Sequence, residues 1–141
     1  MEYRGYCYVM SDTPRNVHTS RNQCQMSGGS LARITDINIE NEVSKFFILG
    51  LALLTALEKT SVRSPWFWRS MCDSGFLVST NILNWRPGKP DNIPGQLYGA
   101  LTVWGYDDFL ATDLLFSVCQ YDDCPHKKSS KLLCFILLTM M

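Results

Sequence analysis

The sequence has no excess of charge of either sign. Its 141 residues contain 13 lysine and arginine residues and 13 aspartate and glutamate residues. Binding to nucleic acid or to another polyanion needs a basic excess. The composition therefore argues against nucleic acid as the main partner, and only the local placement of charge can direct binding.

Motifs of catalysis are also missing. The sequence has no Gly-x-Ser-x-Gly elbow, no His-Glu-x-x-His pair and no phosphate-binding loop. The two histidines, His18 and His126, have no catalytic partners nearby in the sequence. We therefore expect a binding protein and no enzyme.

The sequence lacks a long apolar run. The two apolar stretches, 46–57 and 132–141, are well short of the ~20 residues that a membrane-spanning helix needs. The first is predicted to continue a helix, because Ala, Leu and Glu dominate through Lys59. The second is predicted to be an apolar C-terminal tail. No signal peptide is visible at Met1, and the first residues read as a strand already inside a domain, so we expect the chain to be a fragment.

Cysteine is present in an even number but without a Cys-x-x-Cys pair. The six cysteines are Cys7, Cys24, Cys72, Cys119, Cys124 and Cys134. An even, widely spread set fits disulfides formed in an oxidising compartment better than a zinc site. Buried free thiols are the alternative.

The chain divides into a helical half and an aromatic half. The sequence predicts a strand at 6–10, a helix at 16–26 ended by Gly28, and a second helix that begins near Ile37–Asn41. Beyond Pro65 the sequence is rich in aromatic and proline residues, which favours short strands and long loops. This order predicts an α+β domain. We place the domain at 1–122 and a tail at 123–141.

A set of short motifs, in a fixed order over residues 6–120, resembles the C-type lectin family. Each motif alone is weak, but the ordered set is specific. The matching pieces are Cys7-Tyr8, Cys24, 28–34, Asn41, 66–68, Asn84-Trp85, Lys89-Pro90-Asp91 and Val118-Cys119-Gln120. The resemblance implies a C-type lectin-like fold, with two helices packed on small antiparallel sheets beside a long-loop region.

The resemblance also implies the disulfides. It pairs Cys24 on the first helix with Cys119 on the last strand. Cys7 would then be an orphan, or it would pair with Cys124, because the first and last strands of the family lie side by side. The second disulfide of the family is missing, since its two positions are Tyr98 and Ala111. The long-loop region is therefore expected to be looser.

One core motif of the family is hard to place. The family carries a tryptophan-isoleucine-glycine-leucine motif in its core, and the nearest candidate here is 47–51. This candidate lies too close to Asn41, so residues 46–64 are predicted to be rearranged. The four tryptophans are Trp66, Trp68, Trp85 and Trp104, and core filling is the role predicted for most of them.

The resemblance locates a calcium and sugar site in the long-loop region. The positions that would hold calcium read Lys89, Asp91, Gln96, Asp107 and Asp108. Calcium needs six to eight oxygen ligands, and Lys89 has only donors. The metal set is therefore reduced to Asp91, Gln96, Asp107 and Asp108, and calcium binding should be weakened or lost. An ordinary ion pair between Lys89 and Asp91, worth ~0–1 kcal/mol, is the alternative for these side chains.

Two functions follow from the resemblance. The first is carbohydrate recognition, in which a glycan contacts Lys89, Asp91, Asn92, Gln96, Asp107 and Asp108. The second is calcium-independent binding of a protein ligand by the same surface. The third alternative is that the domain is a degenerate copy that binds no ligand. Either function implies an extracellular location, secreted or in a cell-surface ectodomain.

Overall fold

The computed structural model describes residues 2–3, 5–49, 51–69, 76–79 and 84–121. Cys72, Cys124, Cys134 and the tail at 123–141 lie outside these ranges, so the predictions made for them and for the domain boundary at 122 stay predictions. In the described part, no helix is both long and apolar enough to cross a membrane.

The first half of the chain follows the predicted order. A short strand β1 (Glu2–Tyr3) precedes β2 (Tyr6–Met10), α1 (Val17–Met26), β3 (Ser30–Leu31) and α2 (Ile37–Val43). Asn16 caps α1 by accepting a hydrogen bond from the backbone N–H of Thr19, and Asp36 caps α2 in the same way through Ile39. The predictions for β2 and for the starts of both helices are confirmed.

The prediction of one long helix through the apolar stretch is wrong. After α2 the chain forms a 3-10 helix (Ser44–Leu49) and then strand β4 (Leu53–Glu58). All six residues of β4 are buried, so the strand shows none of the alternation that would mark it in the sequence. The motif candidate at 47–51 begins in the 3-10 helix, outside the sheet.

Strand β4 is the centre of the sheet. The remaining strands are β5 (Phe67–Arg69), β6 (Phe76–Ser79), β7 (Tyr98–Thr102), β8 (Gly105–Phe109) and β9 (Phe116–Tyr121). Strand β4 pairs antiparallel with β5 and β7 and parallel with β9. Strands β7 and β8 form a hairpin. Two helices on a mixed sheet confirm the predicted α+β class.

The first and last long strands lie side by side, as predicted. Strand β2 pairs antiparallel with β9, and Cys7 faces Tyr121 in this register. Cys24 and Cys119 form a disulfide that ties α1 to β9, which confirms the predicted bridge. Cys7 is also disulfide-bonded, so the orphan alternative is wrong. Its proposed pairing with Cys124 involves a residue outside the described ranges and stays a prediction.

Candidate functional site

The candidate site lies where the loop at 84–97 runs along strand β8. Trp85 forms a parallel bridge with Tyr106. The backbone N–H of Tyr106 donates to the carbonyl of Asn84, and that of Arg86 donates to the carbonyl of Tyr106, both at 2.8 Å. Gly105 must be a glycine here, because a Cβ would lie 2.5 Å from the Asn84 carbonyl oxygen. The loop is therefore fixed against the strand that carries Asp107 and Asp108.

The loop turns at the site residues themselves. The peptide bond between Lys89 and Pro90 is cis, and Asn92 has a positive φ of 56°. Positive φ is uncommon for residues other than glycine, but asparagine tolerates it well. Lys89 and Asp91 both interact with carboxylates of β8.

Four charged residues form what we call the Lys89 cluster: Arg86, Lys89, Asp91 and Asp107. The Lys89 Nζ atom lies 2.8 Å from Asp91 Oδ2 and 3.5 Å from Asp107 Oδ1. The expected ion pair of Lys89 with Asp91 is therefore present, and the ammonium also faces a buried carboxylate. Arg86 NH1 lies 3.4 Å from Asp107 Oδ2, a contact that the sequence did not reveal.

Asp91 and Asp108 are interacting carboxylates whose pKa values shift in opposite directions. The hydrogen bond from Lys89, followed by the one with Asp108, lowers the pKa of Asp91. Burial, followed by the contact with Asp91, raises the pKa of Asp108. The hydrogen bond with Asp91 in turn raises the pKa of Lys89. The lysine is thus held as a cation beside an ionised Asp91, and Asp108 is the carboxylate of this pair that more readily takes up a proton.

Asn92 connects the site to a buried lysine. Its backbone N–H donates to Asp108 Oδ2 at 3.3 Å, and its side-chain oxygen accepts from Lys59 Nζ at 3.0 Å. Lys59 is only 4% exposed, and its ammonium also lies 4.9 Å above the centre of the Trp66 ring. Sequence reasoning missed Lys59, because nothing next to it in the chain signals a partner 33 residues away.

Gln96 lies on the inner side of the same loop. Its backbone N–H donates to the carbonyl of Ile93 at 3.0 Å. At this site, two buried acceptor atoms have no hydrogen-bond donor, Gln96 Oε1 and Asp108 Oδ1, and Asp107 Oδ1 has only the longer contact with Lys89 Nζ at 3.5 Å. Acceptors without donors are the atoms that a cation or the hydroxyls of a ligand could satisfy.

The residues present fit calcium only in part. The donorless acceptors favour a cation, but the Lys89 ammonium contacts two of the carboxylates that would hold it. Among the described residues, no three His, Cys, Asp or Glu side chains are grouped so that they could hold a metal ion.

Three of the four tryptophans fill the core. Trp66 and Trp68 are buried, and the partly buried Trp85 packs against Trp66 and Tyr106. Trp104 is different, because it is 62% exposed at the tip of the β7–β8 hairpin. The prediction of a core role therefore holds for most of the tryptophans, as expected, with Trp104 as the exception.

The sequence is similar to two proteins in particular. It is 26% identical over 129 residues to the perlucin-like protein of Mytilus galloprovincialis, covering 84% of this chain and 78% of that protein. It is 29% identical over 99 residues to asialoglycoprotein receptor 1 of Rattus norvegicus, covering 70% of this chain and 32% of that protein. The chain thus spans about a third of the receptor. No family model matches the sequence.

The fold is similar to solved structures over most of its length. A Ca²⁺-dependent type II antifreeze protein in its Ca²⁺-free form superposes with a TM-score of 0.74 at 20% identity, covering 86% of this chain and 96% of that one. The C-type lectin domain of murine dendritic cell inhibitory receptor 2, in complex with an N-glycan, gives 0.72 at 19% identity and covers 87% and 95%. The ordered motifs, the sheet and these similarities show that the chain has the C-type lectin-like fold.

Proposed function

We propose that this domain recognises carbohydrate on the long-loop surface and that its calcium site is weakened by Lys89. One observation carries the proposal: the Lys89 ammonium lies between Asp91 and Asp107, at 2.8 Å and 3.5 Å. A positive charge already occupies the position between carboxylates where a divalent ion would be held. Asp91 and Asn92 beside it are exposed and can meet the hydroxyl groups of a sugar.

The relatives support a binding role. One is named as a receptor for asialoglycoproteins, and one structural neighbour was solved in complex with an N-glycan. The domain is a recognition module and not an enzyme. Its disulfides suit an oxidising compartment, and we place it outside the cell, as a secreted protein or as part of a cell-surface ectodomain.

The charge of Lys89 opposes calcium directly. At 4–6 Å and an effective dielectric constant near 20, a unit charge and a divalent ion of the same sign repel each other by several kcal/mol. Lys89 is partly exposed and can swing toward solvent, which reduces this cost. Calcium binding is therefore weak, and the carbohydrate is held chiefly by hydrogen bonds to Asp91, Asn92 and Gln96.

A protein ligand on the same surface is the second candidate. Ile93 is 49% exposed and lies next to Asn92 in the loop, where it offers an apolar contact that a sugar would use less well. Neutralisation of Asp91 by Lys89 also suits a ligand that needs no metal. Glycan binding separates the two candidates.

The calcium test compares the wild type with Lys89→Glu. Calcium is added while tryptophan fluorescence is recorded, because Trp66 is linked to Asn92 through Lys59. The variant should saturate near 1 mM, as extracellular calcium modules do, and the wild type should need at least about tenfold more. Lys45→Glu is the control, since Lys45 pairs with Glu42 on the surface of α2. Saturation of the wild type near or below 1 mM would contradict the weakened site.

The ligand test is a glycan array, read with calcium and with EDTA. Retention of the wild type on one class of glycan in EDTA, and its loss in Asp91→Ala, is the expected result. If neither the wild type nor Lys89→Glu binds any glycan on the array, carbohydrate is not the ligand and a protein ligand is favoured.

A further inference from the structure

A second concave surface lies on the other side of the β7–β8 hairpin. We call it the Trp104 groove; its volume is about 390 Å³, and it runs between α2, the following 3-10 helix and the hairpin tip. Its lining residues include Glu40, Asn41, Phe47, Asn84, Val103 and Trp104. None of the residues predicted to bind calcium or sugar lines it.

The groove has an aromatic wall that is fixed in place. The Thr102 hydroxyl donates to the carbonyl of Gly105 at 2.6 Å and accepts from the Trp104 backbone N–H at 3.1 Å. The Arg86 guanidinium lies 5.0 Å from the centre of the Trp104 ring. These contacts hold the backbone of the turn and place Arg86 beside the ring, so less conformational freedom has to be lost when a ligand binds.

The floor of the groove is polar. Asn84 Nδ2 donates to Glu40 Oε2 at 3.2 Å, and Glu40 also interacts with the hydroxyl of buried Tyr106. An amide group has two donors and an acceptor, and an ionised carboxylate has about four lone-pair sites. Because Asn84 and Asn41 are exposed, the groove can both donate and accept hydrogen bonds.

A ligand with a net charge of either sign would meet one like charge in the groove. Glu40 on the floor repels an anion, and Arg86 above Trp104 repels a cation from that ring. A neutral ligand with one apolar face and several hydroxyl groups meets both conditions. A pyranose ring has this character, since its C–H face packs on an indole while its hydroxyls reach amides and carboxylates.

We propose that the Trp104 groove is a calcium-independent binding subsite for a neutral hexose unit. Trp104 is the platform for the sugar ring, and Asn84, Asn41 and Glu40 bind its hydroxyls. This subsite does not rest on the function proposed for the Lys89 cluster. Arg86 touches both regions, through Asp107 on one side and Trp104 on the other, so both could engage one extended glycan.

The test is a titration of the isotope-labelled protein with methyl glycosides of glucose, galactose and mannose, followed by NMR in EDTA. With at least one of them, at up to about 100 mM, the signals of Asn41, Asn84 and the Trp104 indole N–H should shift together. Trp104→Ala should weaken this binding about tenfold or more, and Trp104→Tyr should stay within about threefold, because a ring remains. Leu114→Ala is the matched control, since Leu114 is 66% exposed and does not line the groove.

The outcomes separate the two sites. Groove shifts that persist in Lys89→Ala support the subsite whatever the Lys89 cluster does. Shifts confined to residues 91–96 overturn the subsite and support the function proposed above. Absence of groove shifts with all three glycosides, or binding that is unchanged in Trp104→Ala, also overturns it. If the groove signals shift with hydrophobic peptides and with none of the glycosides, the groove binds a protein segment and the hexose subsite is overturned.

Discussion

At the scale of single residues, Glu58 is the buried charge whose removal we expect to lower stability most. It lies at the end of the buried strand β4, and its side chain is 8% exposed. Its two oxygens accept from Arg21 NH2 at 2.6 Å and from Arg69 NH2 at 2.8 Å. One carboxylate therefore joins α1 to β5 through the central strand.

Replacement of Glu58 by alanine should destabilise the fold. The change leaves two partly buried guanidinium groups without their shared carboxylate, and we expect the free energy of unfolding to fall by about 2–4 kcal/mol. Urea denaturation measures it. Glu42→Ala is the control, since the exposed pair with Lys45 should be worth less than about 1 kcal/mol. Equal losses in the two variants would show that Glu58 has no special role.

Asp91 and Asp108 should contribute with opposite signs to the pH dependence of stability. The folded pKa of Asp108 is raised by burial, so ionised Asp108 costs stability at neutral pH, and this cost disappears as the pH falls through the raised pKa. The folded pKa of Asp91 is lowered by Lys89, so Asp91 contributes stability above its unfolded pKa, and that contribution is lost as the pH falls through the lowered value.

The two asparagine variants should therefore diverge. The stability of Asp108→Asn relative to the wild type should be highest at neutral pH. The stability of Asp91→Asn relative to the wild type should be lowest there. Both differences should shrink as the pH is lowered toward the acid range, which thermal unfolding at a series of pH values can follow. Parallel stability curves for wild type and variants would show that the two carboxylates are not coupled to folding.

At the scale of elements, the position of the hairpin β7–β8 against β4 depends on a residue without a side chain, Gly99. Gly99 on β7 packs against β4, and a Cβ built there would lie 2.5 Å from a methyl carbon of Leu57. Leu57 is fully buried, so it has little room to move. The close approach of the two strands needs a glycine at this place.

Gly99→Ala should accordingly destabilise the sheet by about 1–3 kcal/mol, the usual cost of overpacking a core. Combining it with Leu57→Ala tests the mechanism, because the second change removes the two nearest clashing atoms and leaves only the Cβ of residue 57, at 2.9 Å. The two losses should then be less than additive. Additive losses in chemical denaturation would place the strain elsewhere.

Strand β4 also shows where sequence reasoning fails. Its residues Leu53–Glu58 have high helix propensity, and burial on both faces removes the alternation that marks a strand. Its partner strands decide the outcome, and two of the three, β7 and β9, lie far away in the chain. The helices α1 and α2 could be predicted, since their starts depend on the local capping residues Asn16 and Asp36.

At the scale of the whole molecule, motifs in a fixed order predicted more than local patterns did. Cys24 and Cys119 could be paired before the structure was known, because each belongs to a recognisable motif. Lys89 and Asp91 are two residues apart, so their ion pair could also be anticipated. The contacts of Lys59 with Asn92 and of Arg86 with Trp104 could not, since each depends on how a loop folds back on the sheet.

At the same scale, the disulfide between Cys24 and Cys119 should make a large covalent contribution to stability. It closes a segment of 95 residues, and the chain-entropy model assigns such a loop about 4 kcal/mol through restriction of the unfolded chain. The double variant Cys24→Ser, Cys119→Ser should lose about this free energy of unfolding while it keeps the far-UV circular dichroism of the native fold at low temperature. Because the effect acts on the unfolded chain, the bridge should matter little to the arrangement of Lys89 and Asp91. Calcium and glycan binding by the folded fraction should stay unchanged, and a binding loss larger than the unfolded fraction explains would show that the bridge shapes the site itself.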